Sequence, residues 1–583
     1  MTGFGFSHQP LVNMFGSGIT SFFRKIEVYG SENVPEEGPI IFACTHTNMA
    51  IDPAVLSYTV PHGYSLHYWV KDSLFRNPVM RAVMQNAGNI PMAAGECIGL
   101  FPEGTSHTNP RLIPLKDGLA WSALEYLIYL KGGDGQEPHK GKPVTIVPVG
   151  IAYCDKSKYR SRLVITYCPP ITTDRYEKEF LSGGDAAKKA AVKRLTRDIE
   201  LELYKTTVNG PDWETNYAAD MARELLWKYD RDLALADYVD VQQTLVDLLS
   251  TNDPRIEKLK QMLYTYHQLL VASRLSNGAL TDLPLQRNLD PNKVVPLPGR
   301  LRTLAILIKD TFISLIQFPL FVVPFLFNIP LYIIGMLGAN MAENELETQA
   351  QMKVFLGIFI SFLLYPIYFF IFLWMFRTVP LGGLFAAGVV WLLSKYHAAL
   401  IDRNYAGLKK LVAAWRVLIG VWLGSRVEMN LNSFVDRAAS YAPNPPQVAG
   451  LPAGKEAEKY VRPEKLPSRV LVRHVLRQRV QAARALTDTL LELEAADANV
   501  DASFWLAERY GGDVLPLSKA EMELPAYERP WPRGRRGARE VVAFLRGRGA
   551  RLGGTMGGES EYLANASRAA ETPGLDKVEF KME

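Results

Sequence analysis

Along the first third of the chain, short apolar runs alternate with stretches of helical period. Between Pro39 and Ile171 the runs "PIIFACT", "SLHYWV", "GNIPM", "CIGLF", "VTIVPVGIAY" and "RLVITYC" have the length of strands. Between them, "NPVMRAVMQNA" and "DGLAWSALEYLIYL" space their apolar residues as a helix does. Strands interleaved with helices predict an α/β unit with a mostly parallel sheet, over residues 27–182. From 183 to 300 charged segments of helical period, such as "AAKKAAVKRLTRDIELELYK" and "RIEKLKQMLYTYHQLLVASRL", predict a helical insert.

A different pattern fills 301–425. Neither Thr311–Ala342 nor Val354–Phe376 contains a charged residue, and about 20 such residues cross a hydrocarbon core of about 30 Å. These runs predict a transmembrane helical hairpin with spans near 311–338 and 354–376. Pro319, Pro324 and Pro330 would kink or divide the first run, leaving a re-entrant path open. Arg300, Arg302 and Lys309 precede the first run, Arg377 follows the second, and Glu343, Glu345 and Glu347 lie in the turn. The positive-inside bias therefore places both outer flanks on the cytosolic face. The shorter runs 378–394 and 411–424 predict interfacial or tightly packed helices. Residues 1–26 lack the pattern of a signal peptide and suit an amphipathic segment on a lipid surface. Beyond 426 the chain reads as a partly helical to disordered tail. "APNPPQVAGLPAGKEAEK" is linker-like, and the Gly/Arg-rich end after Pro530 has too little apolar surface to fold alone.

A length of 583 residues calls for two or three such units. The net charge of +5 is mild, and outside "WPRGRRGAR" basic residues are interspersed with acids, so no nucleic acid partner is expected. A negatively charged membrane face or a small phosphate fits that balance. The four cysteines form no C-x-x-C pair, and no His-x-x-x-His spacing occurs near them, so neither a disulfide framework nor a metal site is expected.

Candidate chemistry sits where strands end. In "THTNMAIDP", His46 and Asp52 are six positions apart, and a carboxylate that fixes an imidazole tautomer makes a general base if the turn folds back. With nine histidines and 60 acids in the chain, a chance pair at short spacing is expected, and taken alone these residues favour that plainer reading. In "GLFPEGTSHTNPRLIPLKDG", a strand-like run ends in a Thr/Ser-rich turn whose N–H groups, hydroxyls, Arg111 and Lys116 suit an anion. Its plainer reading is a solvated loop, and His107 beside Ser106 is read that way too. Met80, Met84 and Met92 read as core filler.

Taken in order, "THTNMAIDP", "GNIP", "FPEGTSH" and "VTIVPVGIAY" resemble the phospholipid/glycerol acyltransferase family, and with "CDKSKYRSRLVITYCPPI" most resemble its fungal-type glycerol-3-phosphate/dihydroxyacetone-phosphate acyltransferases. The resemblance implies acyl transfer from acyl-CoA, a co-substrate, to the sn-1 hydroxyl of glycerol-3-phosphate and/or dihydroxyacetone phosphate, with no cofactor and no covalent enzyme intermediate. It implies a first step of glycerolipid synthesis in the endoplasmic reticulum membrane, with the catalytic domain facing the cytosol. It makes His46 the base and Asp52 its orienting partner, and assigns Glu103, Gly104, Thr105 and Ser106 to acceptor binding. Arg111, Lys116 and Arg160 are further candidates for the acceptor phosphate, since a dianion needs cations. One departure stands out: "GNIPM" and "CIGLF" are separated only by "AAGE", where the family has an arginine and a helix. Four residues do not cross between parallel strands. Weak acceptor binding is expected from that gap, and the alternatives are an impaired membrane scaffold, a lysophospholipid acyltransferase or, with a nucleophile, an acylhydrolase.

Overall fold

The computed structural model describes residues 8–68, 97–132, 138–280, 300–342, 346–423, 470–525 and 527–551. The "GNIPM" run, the helix expected over "NPVMRAVMQNA", the "AAGE" link, Glu343, Glu345 and the "APNPPQVAGLPAGKEAEK" linker lie outside these residues.

Helix α1 (His8–Phe22) leads into strand β1 (Lys25–Tyr29). There follow β2 (Ile40–Cys44), α2 (Ile51–Thr59), β3 (Leu66–Tyr68), β4 (Cys97–Leu100), α3 (Gly118–Lys131), β5 (Thr145–Tyr153), β6 (Arg162–Tyr167) and β7 (Ile171–Thr172). The strands form one sheet in the order β1-β6-β5-β2-β4-β3, with β7 against β5. Pairing is parallel except where β5 meets β6 and β7. The mostly parallel sheet thus agrees with the apolar pattern. Strand β1 has no counterpart among the predicted runs, because "KIEVY" mixes charged and apolar residues.

Strand alternation divides the core in two. Ile40, Phe42 and Cys44 of β2 face one layer with α1 and α2, while Ile41 and Ala43 face a second with α3. Helices α4 (Asp174–Leu181) and α5 (Asp185–Lys205) complete that second layer, through Phe180, Leu195 and Ile199. The α/β unit therefore runs past the boundary expected at residue 182, because the amphipathic face of α5 is needed to cover the sheet. β3 and β4 are parallel neighbours, and 28 residues (69–96) lie between them, ample for a crossover. The short-link problem therefore does not arise between the described strands.

The insert proper comprises α6 (Trp213–Leu226), α7 (Tyr238–Ser250), α8 (Pro254–Ser273) and α9 (Asn277–Leu280). Three long helices follow: α10 (Arg300–Met341), α11 (Leu346–Met375) and α12 (Gly382–Leu423). The runs expected as two separate helices near 378–394 and 411–424 fall at the two ends of α12. Among the described residues one helical stretch, Glu347–Met375, is long and apolar enough to cross a membrane. Helices α10 and α11 do pack side by side, with the Tyr368 hydroxyl donating to the Phe327 carbonyl at 2.8 Å. The start of α11, next to the turn assigned to the far side of the bilayer, docks on the α/β unit: the Ala50 N–H donates to Gln351, and Ala350 and Val354 enter its core.

The tail also departs from expectation. Helix α13 (Val472–Ala496), strand β8 (Asn499–Ser503), α14 (Phe504–Tyr510), β9 (Asp513–Val514), α15 (Lys519–Glu523), β10 (Arg533–Gly537) and α16 (Ala538–Gly547) form a folded unit with an antiparallel β8-β10-β9 sheet. Its apolar residues share one core with the insert: Leu476, Leu486 and Leu490 pack with Leu225, Leu259 and Leu263. Arg536, expected in a solvated end, is buried over Phe544 and donates to the Gly511 carbonyl.

Candidate active site

Strands β4, β2 and β5 are adjacent and parallel, so their carboxyl ends open on the same side of the sheet. Ligands bind at such ends in α/β folds. β2 delivers His46, β4 delivers the Phe-Pro-Glu-Gly corner, and β5 delivers Tyr153.

A tight turn brings His46 and Asp52 together. Met49 adopts a left-handed φ of 44°, and the Ile51 N–H donates to the Asn48 carbonyl at 3.0 Å. Helix α2 begins there, and its first turn brings Asp52 back to His46. The ring Nδ1 is 3.0 Å from Asp52 Oδ2. Asp52 is fully buried, and two other groups reach it: the Asn48 N–H donates to Oδ2 at 2.7 Å and the Tyr153 hydroxyl to Oδ1 at 2.6 Å. An ionised carboxylate is acceptor-only, so the groups that face it act as donors. With Nδ1–H directed at that charge, the lone pair of the imidazole resides on Nε2. The His46 side chain is 18% exposed, and its ring stacks on Phe101 at 4.2 Å. Burial, reinforced by the Asp52 charge, pushes the Tyr153 phenol well above its ordinary range, so it stays a donor.

Glu103 was expected to contact the acceptor. It is instead buried, with Oε1 accepting the His46 N–H at 2.6 Å and Oε2 paired with His107 Nε2. Its carboxylate ties the two loops together. His107, expected in a solvated loop, is buried by that pairing, and its N–H donates to the His46 carbonyl at 3.2 Å. No Ser106–His107 dyad forms, since the Ser106 hydroxyl points to the Met49 sulfur. Gly104 takes a φ of 74°, and a Cβ there would lie 2.6 Å from Lys116 Nζ. Lys116 thus stretches across the corner, with its N–H donating to the Pro102 carbonyl at 2.8 Å. Thr105 is half-buried beside it and donates to the Ser106 carbonyl. Arg111 is exposed, next to Pro110 and Leu112, which are pinned to Gly210 and Asn209 before α6. Arg160 is turned elsewhere: its guanidinium donates to the Ser21 carbonyl at the end of α1.

Several participants were missed. Tyr153 and Phe101 come from strands other than the one that carries His46, and only their places at strand ends gave a signal. Lys156 of "CDKSKYR" is half-buried and donates to the Thr47 carbonyl at 2.9 Å, the His107 carbonyl and the Thr108 hydroxyl. Desolvation brings its ammonium down to about 8, against the opposing pull of Glu347, Asp52, Asp155 and Glu103.

A histidine in contact with a buried carboxylate thus lies at the open end of a mostly parallel sheet, beside a glycine corner, and residues 25–152 match the Acyltransferase family model. Over this region the chain is similar to glycerol-3-phosphate O-acyltransferases. Glycerol-3-phosphate O-acyltransferase 2 of Saccharomyces cerevisiae is 32% identical over 189 residues, 32% of this chain and 24% of that protein. Glycerol-3-phosphate O-acyltransferase 1 of the same yeast is 32% identical over 184 residues, 31% of this chain and 23% of that protein. The 1-acyl-sn-glycerol-3-phosphate acyltransferase of Bacillus subtilis is 27% identical over 141 residues, 21% of this chain and 69% of that protein. The match therefore spans about a quarter of the length of the yeast relatives.

Proposed function

We propose that this chain transfers an acyl group from acyl-CoA to the sn-1 hydroxyl of glycerol-3-phosphate or dihydroxyacetone phosphate, at a membrane surface. One observation carries the reading: His46 and Asp52 are in contact at the open end of the sheet, with the ring partly exposed. In this scheme the alcohol binds with its phosphate toward Lys116 and the N–H groups of the Phe-Pro-Glu-Gly corner. His46 Nε2 takes the hydroxyl proton as the oxygen attacks the thioester carbonyl. Asp52 stabilises the imidazolium, which then returns the proton to the departing CoA sulfur. No protein nucleophile takes part. The yeast relatives' names support the acceptor assignment, while the Bacillus relative makes a lysophospholipid the competing acceptor. An endoplasmic reticulum location with the site on the cytosolic side belongs to the same proposal. Tethering there is supported by the apolar stretch Glu347–Met375, whose Phe359, Phe362, Phe370 and Trp374 are all exposed.

The test uses the purified full chain in nanodiscs with labelled acyl-CoA and each of the three acceptors. Acylation of glycerol-3-phosphate that His46→Ala lowers by at least ~10²-fold is the expected result. Transfer that survives in His46→Ala refutes the general-base role. Absence of transfer to every acceptor by the wild type leaves the scaffold reading, and a trapped acyl-enzyme leaves the acylhydrolase.

A further inference from the structure

The turn that carries the candidate base has no cap of its own. Helix α2 starts at an N-cap Ala50, a residue whose side chain accepts no hydrogen bond. The Ala50 N–H instead donates to Gln351 Oε1 at 3.0 Å, a group 301 positions away in the first turns of α11. A second link runs alongside. Glu347, one turn earlier on α11, accepts from the Thr108 hydroxyl, which also receives the Lys156 ammonium; that ammonium in turn holds the carbonyls of Thr47 and His107. Lys353 adds a bond to the Ser157 carbonyl at 2.6 Å. Between these polar links Ala350 is fully buried in the core that contains Ile51 and Val55 of α2. The residues just before and after Asp52 are therefore fixed from outside the acyltransferase domain, by the same helix that is long and apolar enough to cross a bilayer.

We propose that Gln351, supported by Glu347, is a positioning residue for acyl transfer: from the start of α11 it holds the turn that aligns His46 with Asp52. The inference rests on the proposed function for its kinetic consequence, though not for its structural one. Gln351 touches no reacting atom. Without its acceptor the Ala50 N–H is left unsatisfied and the left-handed Met49 loses its anchor, so the His46 ring departs from its alignment. Small displacements of a base are costly, since a shift of about 1 Å can cost about 10²-fold in rate.

The experiment compares wild type, Gln351→Ala, Gln351→Glu and His46→Ala as full chains in nanodiscs. Gln351→Glu keeps an oxygen acceptor for the Ala50 N–H and serves as the conservative rescue. Gln351→Ala is expected to lower kcat by roughly tenfold or more while KM for acyl-CoA and acceptor stays within about twofold, and Gln351→Glu to recover most of kcat. A readout independent of turnover is the rate at which diethyl pyrocarbonate modifies His46, followed by mass spectrometry with the remaining histidines as internal controls. A several-fold change confined to His46 in Gln351→Ala, and wild-type behaviour in Gln351→Glu, supports the proposal. An unchanged His46 rate in Gln351→Ala overturns it, as does a change shared by all histidines or a failure of Gln351→Glu to restore the rate. Retained activity in His46→Ala refutes the catalytic reading separately, and the modification rates still decide the role of Gln351.

Discussion

Asp52 meets His46 Nδ1, the Asn48 N–H and the Tyr153 hydroxyl, and these contacts are not equivalent. The backbone donor fixes where the carboxylate sits, the phenol satisfies its second oxygen, and the imidazole alone faces the solvent side. On the proposed mechanism Asp52→Asn removes the charge that would select the tautomer and stabilise the imidazolium, so kcat is expected to fall by ~10²–10⁴-fold. Tyr153→Phe removes only one bond to a charged acceptor, worth about 1.5–3 kcal/mol, and should cost clearly less than Asp52→Asn. Steady-state kinetics of the two variants at saturating substrates check this order; equal losses would contradict it. At this scale the sequence revealed pairs that are local. His46 and Asp52 were legible because one turn joins them. The buried role of Glu103 was not, because its partners are the backbone of His46 and the ring of His107, and nothing in "FPEGTSH" distinguishes an inward carboxylate from an outward one.

At the scale of elements, the loop after β5 supplies a titrating group beside the candidate base. Burial moves Lys156 down to about 8, so it loses its proton in the folded chain well before it would in the unfolded one. The consequences for activity and stability have opposite signs. Deprotonation weakens the ionic hold on Thr108 and on the carbonyls of Thr47 and His107, so kcat should fall as pH rises through about 8. Between about 8 and the ordinary value of 10.5 the unfolded chain binds the extra proton, so this group makes the fold more stable as pH rises. An alkaline loss of kcat without a matching fall in thermal midpoint is expected, and Lys156→Arg should move the limb upward. A pH–kcat profile identical in Lys156→Arg would show that another group titrates. The strands of the sheet were legible from apolar runs of the right length, apart from β1, whose mixed residues hide it, and the two-residue β7, which is too short to make a run. Links such as Ala50 to Gln351 were not, because contacts 301 positions apart leave no local pattern.

For the whole molecule, the surprise lies in residues 470–551. Composition suggests a partly helical to disordered tail, yet this segment is folded and shares one core with the insert. Bonds cross the same seam, with the Trp227 indole donating to the Arg548 carbonyl and the Ser503 N–H to half-buried Asp247. Leu490 is 1% exposed at that seam. Leu490→Ala should therefore cost ~2–5 kcal/mol and make α6–α8 more sensitive to protease, measured by thermal unfolding and limited digestion of the full chain. No measurable effect would return the segment to the status of a loose tail. A pattern read one window at a time sees the spacing of α13 but not the partner it covers.

Helix α1 packs against both α2 and α11, and each contact includes a close approach at a glycine. A Cβ on Gly16 would collide with the ring of Tyr58, and one on Gly18 would come within 2.6 Å of Ile358 Cδ1. The helix therefore works as a shim of minimal thickness. A bulkier residue at either glycine would tilt the apolar rod against the sheet, and with it change the height of the catalytic mouth above any lipid surface on which that rod is planted.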